Sequence, residues 1–290
     1  MMFGTKERKE RNLTINDFLL SKNFLSLPMI ISDFQEKRID LEKNDPVFPL
    51  AALLTKYFNE LNKIINKYIK LADNEESISL NEIEMAQEKF RTVYEALTER
   101  ARVSNSHLEY EKMGTLAQCA KQLIEIIKRK NAESNKLAVT ESPQQDRGEL
   151  RESIADLCDS ESYKKAQEDA LNLIGTRIKF PSNNPQSVIA NILAIAADKL
   201  RDEMPTLKDK VLKAEEPISL FEIELALGKY EASYDAYEQD AKVNVPHAKD
   251  WSMLKELARC ARELIEIVKS NNAVLQQNVT SNQQPKFLNY

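Results

Sequence analysis

EESISLNEIEMAQEKF, residues 75–90, and EEPISLFEIELALGKY, residues 215–230, are one stretch written twice, 140 residues apart. Ile78, Ser79, Leu80, Glu82, Ile83, Glu84, Ala86 and Lys89 return as Ile218, Ser219, Leu220, Glu222, Ile223, Glu224, Ala226 and Lys229. The register continues downstream, where Tyr94, Ala96, Ala101, Val103 and His107 return as Tyr234, Ala236, Ala241, Val243 and His247. One extra residue then shifts the spacing to 141, and CAKQLIEIIKRKNA (119–132) lies on CARELIEIVKSNNA (260–273). Upstream the match thins, yet Ile15, Asp17, Arg38 and Pro46 still have Ile154, Asp156, Arg177 and Pro185 as partners at a spacing of 139.

The quoted stretch also sets the fold class. In the first copy Ile83, Ala86, Phe90, Tyr94, Leu97 and Ala101 recur every three or four residues, and Ile223, Ala226, Tyr230, Tyr234, Tyr237 and Ala241 hold the same stripe in the second. That period belongs to a helix with one face in a core. The S-x-x-E spacing of Ser79 with Glu82 and of Ser219 with Glu222 predicts a capping box at each start. Met113, Leu116, Ala120, Leu123 and Ile127 form a second stripe, matched by Leu254, Leu257, Ala261, Leu264 and Val268. The short connectors near 103–106 and 243–246 make the two helices of each copy antiparallel neighbours. An earlier helix opens after Pro46 or Pro185, with Pro205 expected to break or kink the second version.

The chain therefore reads as all-α: a tandem duplication of a helical-bundle unit of about four to five helices, the copies packed with pseudo-twofold symmetry. Residues 1–13 read as a flexible arm, 14–132 as the first unit, 133–152 as a linker, 153–273 as the second unit and 274–290 as a flexible polar tail. A period near 140 is far too long for solenoid repeats, which run about 33 to 47 residues.

Composition narrows the function classes. A net charge of -5 with neither half basic argues against nucleic acid, and Lys6, Arg8, Lys9 and Arg11 are interrupted by Glu7 and Glu10. The longest apolar run, 188–197, is about half of a membrane span, so no integral membrane segment is expected. Residues 1–12 lead into polar and acidic positions rather than a secretory core, which points to the cytoplasm or to export without a conventional signal peptide. Cys119, Cys158 and Cys260 form no paired framework, so no disulfide is expected. Five glycines and two histidines in 290 residues leave no room for the glycine-rich phosphate loops and zinc signatures, and no cofactor or metal is implied.

What remains is a set of candidate contact residues. His107 and His247, the only histidines, share one repeat position. Imidazole titrates near neutrality, so the pair would be the base or ligand of an enzyme straddling the copies, but the stronger reading is a polar filler of a helix turn copied with the unit, followed by a partner contact. Twelve residues of helix separate His107 from Cys119 by about 18 Å, too far for a dyad within one helix. Glu82 with Glu84, two apart, point to different helix faces and cannot act on one bond. Trp251, matched by Tyr110, lies off the apolar stripe and is the preferred partner contact. Tyr230, Tyr234 and Tyr237 divide between groove and core, with their counterparts Phe90, Tyr94 and Leu97 favouring core. No catalytic residue is assigned, and a protein partner is expected at the duplicated surface or in the groove between copies.

An Asn-, Lys- and Ile-rich chain with a polar tail ending near Phe287 and Leu288 resembles the host-directed effectors that intracellular bacteria export through type IV systems. That resemblance implies action on proteins of a host cell.

Overall fold

The computed structural model describes residues 14–39, 41, 45–72, 78–104, 106, 108–134, 148–177, 185–213, 218–244 and 254–281. Among them the chain is all-helical. The first half holds α1 (Ile15–Leu19), α2 (Lys22–Ile39), α3 (Phe48–Ala72), α4 (Asn81–Ser104), a 3-10 turn (Glu111–Met113) and α5 (Gly114–Ser134). The second holds α6 (Gly148–Asp159), α7 (Glu161–Arg177), α8 (Pro185–Lys213), α9 (Phe221–Asn244) and α10 (Lys255–Ser281). Helix α6 reaches back into the stretch that reads as linker, and α10 runs eight residues past Ala273 into the stretch that reads as tail.

Helices α4 and α9 lie side by side at the centre. Helix α3 packs on α4 and also on α9, while α8 packs on α9 and also on α4. Outside them, α5 is covered by α1 and α2, and α10 by α6 and α7. One continuous apolar cluster runs through both halves, from Phe18, Leu54 and Phe90 to Leu193, Tyr230 and Leu264. The halves therefore share a core and are not beads on a linker.

Contacts along the centre fix its direction. Asn81 reaches Glu224, Gly228 lies on Met85 and Lys89, Lys229 pairs with Glu88, Lys89 with Glu231, and Arg100 with Asp240. The numbers climb together, so α4 and α9 run parallel and in register. Small residues permit the approach: a Cβ on Gly228 would stand 2.7 Å from Met85 Cγ and 3.2 Å from Lys89 Cε. Ala96, Ala232 and Ala236 are fully buried nearby. Thr92 and Ser233, also buried, turn their hydroxyls onto the carbonyls of Glu88 and Lys229 in their own helices.

Each half is tied at the start of its central helix by an asparagine. Ile78 N–H donates to Asn131 Oδ1 at 3.0 Å and its carbonyl accepts from Asn131 Nδ2 at 2.7 Å; Ile218 and Asn272 repeat this at 3.0 and 2.8 Å. Lys128 pairs with Glu84 and Lys269 with Glu224, both at 2.9 Å. The expected S-x-x-E boxes are replaced by these ties. Glu84 and Glu224 N–H donate to the carbonyls of Leu80 and Leu220, which makes the leucines the capping positions, one residue past each serine. Glu82 instead pairs with Lys67 of α3. The box that does form caps α1, where Thr14 and Asp17 bond reciprocally.

Pro205 does not break its helix: α8 is continuous from Pro185 to Lys213. Pro205 is exposed, so the carbonyl it orphans one turn back lies on the solvent side of the helix. Buried Met204 and Leu207 anchor the chain on either side. Exposed Pro28 is carried in α2 in the same way, beside buried Leu27 and Ile30.

Candidate functional site

A cleft of about 400 Å³ opens between α3, α9 and α10. It is lined by Lys56, Tyr57 and Glu60 of α3, Lys89 of α4, Tyr230, Glu231, Tyr234, Asp235 and Glu238 of α9, and Lys255, Ala258 and Arg262 of α10. The first two helices belong to the first half of the chain and the last two to the second.

The spacing on α9 builds one wall. Glu231, Tyr234, Asp235 and Glu238 are three and four residues apart, so one helix face carries an aromatic ring among three carboxylates. Tyr230, one turn inside, is buried and donates its hydroxyl to Leu254 O at 2.5 Å, which ties α9 to the start of α10. Tyr57 comes from the opposite wall, almost wholly buried, and its phenol donates to Asp235 Oδ2 at 2.9 Å. Burial, then the neighbouring Asp235 charge, pushes the Tyr57 phenol far above its ordinary range, so it remains a neutral donor.

Every carboxylate on the α9 wall meets a cation. Glu231 accepts from Lys89 at 2.9 Å and from Arg262 through Nε and Nη2 at 3.0 and 2.8 Å. Burial alone would raise the Glu231 carboxyl, but these two cations outweigh it and hold it below the usual range. Lys255 lies 3.2 Å from Glu238 and 5.4 Å from the Tyr234 ring centroid. Lys56 lies 3.5 Å from Asp235 and 5.0 Å from the Tyr57 centroid. The Lys56 and Lys255 side chains are both 61% exposed, and such pairs contribute roughly 0–1 kcal/mol. Lys89 and Glu231, at 17% and 25%, form the inner, fixed pair.

Of the residues singled out by sequence, His107, His247 and Trp251 lie outside the described residues. Tyr110 is half-buried, its ring edge-on to Tyr94 at 5.9 Å, in front of the 3-10 turn that opens α5. Tyr237 is core, Tyr230 is buried at the base of the cleft wall, and Tyr234 is the more exposed of the two that line the cleft. All three cysteines are buried free thiols, and burial pushes Cys119 up to about 11, far from a nucleophile's range. No group of His, Cys, Asp and Glu among the described residues is arranged to hold a metal ion. No described helix is long and apolar enough to cross a membrane.

Two features of the centre escape a reading by periodicity. The first is the cleft itself, since Tyr57 and Asp235 are 178 residues apart. The second is a buried ion pair below the ends of α4 and α9: Arg100 Nε lies 3.0 Å from Asp240 Oδ1, with both side chains almost wholly buried. The approach lacks hydrogen-bond alignment at Nε, and Nη1 has no hydrogen-bond partner. Burial lowers the Arg100 pKa and the Asp240 charge opposes that shift. The signal in the sequence was a repeat position that changes sign, arginine in one copy and aspartate 140 residues later.

Comparison of the chain with known protein families, curated proteins and solved structures finds no match in any of the three.

Proposed function

We propose that the chain is two copies of one five-helix unit, residues 14–132 and 153–273, related by a pseudo-twofold axis parallel to α4 and α9. The matched asparagine ties, the matched Lys128–Glu84 and Lys269–Glu224 pairs, and the parallel register near a spacing of 140 all support this reading. On it, α1 to α5 correspond to α6 to α10, and the centre is an interface of the homodimer type enclosed in one chain.

The pair acts as a non-catalytic interaction protein, engaging a partner protein in the cleft between α3, α9 and α10. One observation carries this: the cleft takes side chains from both copies, so only the assembled pair makes it. Tyrosine is favoured at recognition surfaces, and the concavity is of a size that takes side chains of a partner, with charged groups placed to orient them. The effector-like composition extends the proposal to a partner in a host cell, so lysates of both bacterial and eukaryotic cells are the material to search.

The test is crosslinking capture with the wild type, with Tyr234→Leu/Asp235→Asn, and with Glu125→Gln on the exposed face of α5 as control. A protein held by wild type and control, and released by a cleft variant whose thermal unfolding is unchanged, is the expected result. Equal retention by the cleft variant overturns it.

A further inference from the structure

The charges of the cleft balance in number, so its preference has to be read from which sign is fixed. Lys56 and Lys255 come from two separate helices, α3 and α10, and each reaches over the cleft with most of its side chain in solvent. Glu231, Asp235 and Glu238 stand on one face of one helix, their side chains 25%, 37% and 36% exposed. Asp235 is further held by the Tyr57 phenol, and Glu231 by Lys89 and Arg262. The carboxylates are thus the preorganised part and the outer lysines the movable part. The rings add to the same preference, because the face of a phenol is electron-rich and attracts cations.

The chain already demonstrates the mode of binding. Lys255 stands over Tyr234 beside Glu238, and Lys56 over Tyr57 beside Asp235, so two ammonium groups each occupy a ring-and-carboxylate seat. Weak exposed pairs are readily exchanged for an incoming cation.

The comparison within the chain sharpens this. At the spacings of the repeat, Glu231, Tyr234, Asp235 and Glu238 correspond to Arg91, Tyr94, Glu95 and Thr98. Lys56, Tyr57 and Glu60 correspond to Ile195, Ala196 and Lys199, and Lys255 to Gly114. The unit can therefore be built without the acidic row, the second phenol and the covering lysines. Their presence on one side marks that side as specialised.

We infer that the cleft is a cation-recognition site that takes arginine or lysine side chains from a basic segment of the partner protein, in the seats the chain's own Lys56 and Lys255 occupy. A cavity of about 400 Å³ accepts one or two such side chains and not a folded element. The inference rests on the proposed docking role and specifies its chemistry.

The test uses the full chain and four probes: a labelled Gly-Ser peptide carrying three arginines, the same peptide with citrulline, the same with glutamate, and spermidine. The arginine peptide is expected to bind, with the citrulline and glutamate peptides at least about tenfold weaker. Asp235→Asn/Glu238→Gln should weaken the arginine peptide by about tenfold. The decisive variant is Lys255→Ala: removing the resident cation should tighten binding by about threefold, where an anion site would lose affinity. Weakening by Lys255→Ala, equal binding of the citrulline peptide, or preference for the glutamate peptide overturns the inference. Spermidine binding as tightly as the peptide overturns the peptide as occupant. A captured protein that is lost from the cleft variants while the arginine peptide fails to bind leaves the docking role standing and removes only the charge assignment.

Discussion

Helices α4 and α9 carry the stretch of sequence that is written twice, and they can be compared position by position where they touch. The positions that tie each central helix to its own hairpin are the same: Glu84 and Glu224, Lys128 and Lys269, Asn131 and Asn272. Across the contact some matched positions diverge, Arg100 against Asp240 and Glu88 against Gly228, while Lys89 and Lys229, and Ala96 and Ala236, stay the same. The reason is geometric. At Arg100 and Asp240 the two parallel helices bring matched residues face to face, where an identical residue would meet itself. A buried arginine facing a buried arginine is not tolerated, whereas opposite charges are.

The largest effect is expected at that pair. Asp240→Ala leaves the buried Arg100 charge without its carboxylate and should cost about 3–5 kcal/mol in denaturant unfolding, and Arg100→Ala should destabilise by less. Replacing both by leucine removes the desolvation cost along with the attraction, so the double variant should fall within about 1 kcal/mol of wild type or exceed it. An Asp240→Ala loss below that range, or a double variant worse than either single, would mean that the junction is not held as a pair.

Next come the matched ties. Asn131→Ala strips two backbone partners from Ile78 and Asn272→Ala strips two from Ile218, each expected to cost about 1–2 kcal/mol. The comparison is sharpest in the difference between them. Equal costs follow if the two ties are the same device, and a large inequality would show that one half carries the fold.

This division also explains what the sequence made legible. Ile83, Phe90 and Leu97 announce a helix with a buried stripe, and the spacing of Leu116, Leu123 and Ile127 announces the helix it packs on. Those contacts are local, so periodicity encodes them. The junction uses a second face of α4, with Val93, Ala96 and Arg100, and of α9, with Ala232, Ala236 and Asp240. Charged members make that face read as solvated. The cleft is harder still, because its walls come from helices whose meeting depends on how two whole units pack. Capping was misplaced for a smaller reason: Ser79 stands one residue ahead of the true cap, and Glu82 is drawn off by Lys67.

A more modest effect is expected at Gly228. Alanine gains helix propensity worth about 1 kcal/mol, but its methyl meets Met85 Cγ, an atom near the backbone rather than the free end of the side chain. Overpacking costs about 1–3 kcal/mol, so Gly228→Ala should lose about 1 kcal/mol net in urea unfolding. The comparison is Glu88→Ala at the corresponding place in α4, where the side chain, 18% exposed, pairs with Lys229 across the junction and with Arg91 in its own helix, so its loss should cost about 1 kcal/mol. A stabilised Gly228→Ala would show that the approach of the two helices is looser than the contact implies.

The smallest effect tests the outer covers, α2 against α7. Leu25 and Met29 are more than 60% exposed, while the corresponding positions in α7 are Lys164 and Glu168, also exposed. The buried positions agree in register, Leu27 with Ala166 and Phe34 with Leu173. Since the matched places in α7 carry charge, the mostly exposed Leu25 and Met29 are expected to contribute little to the packing of α2. Leu25→Lys with Met29→Glu should therefore leave stability within about 0.5 kcal/mol by thermal or urea unfolding. The replacements stand four apart and place a glutamate after a lysine, an order that adds little helix pairing of its own, so the result reads the loss of the apolar groups directly. A larger destabilisation would mean that these side chains are covered in solution, and that α2 and α7 differ in what they contact rather than only in what they expose.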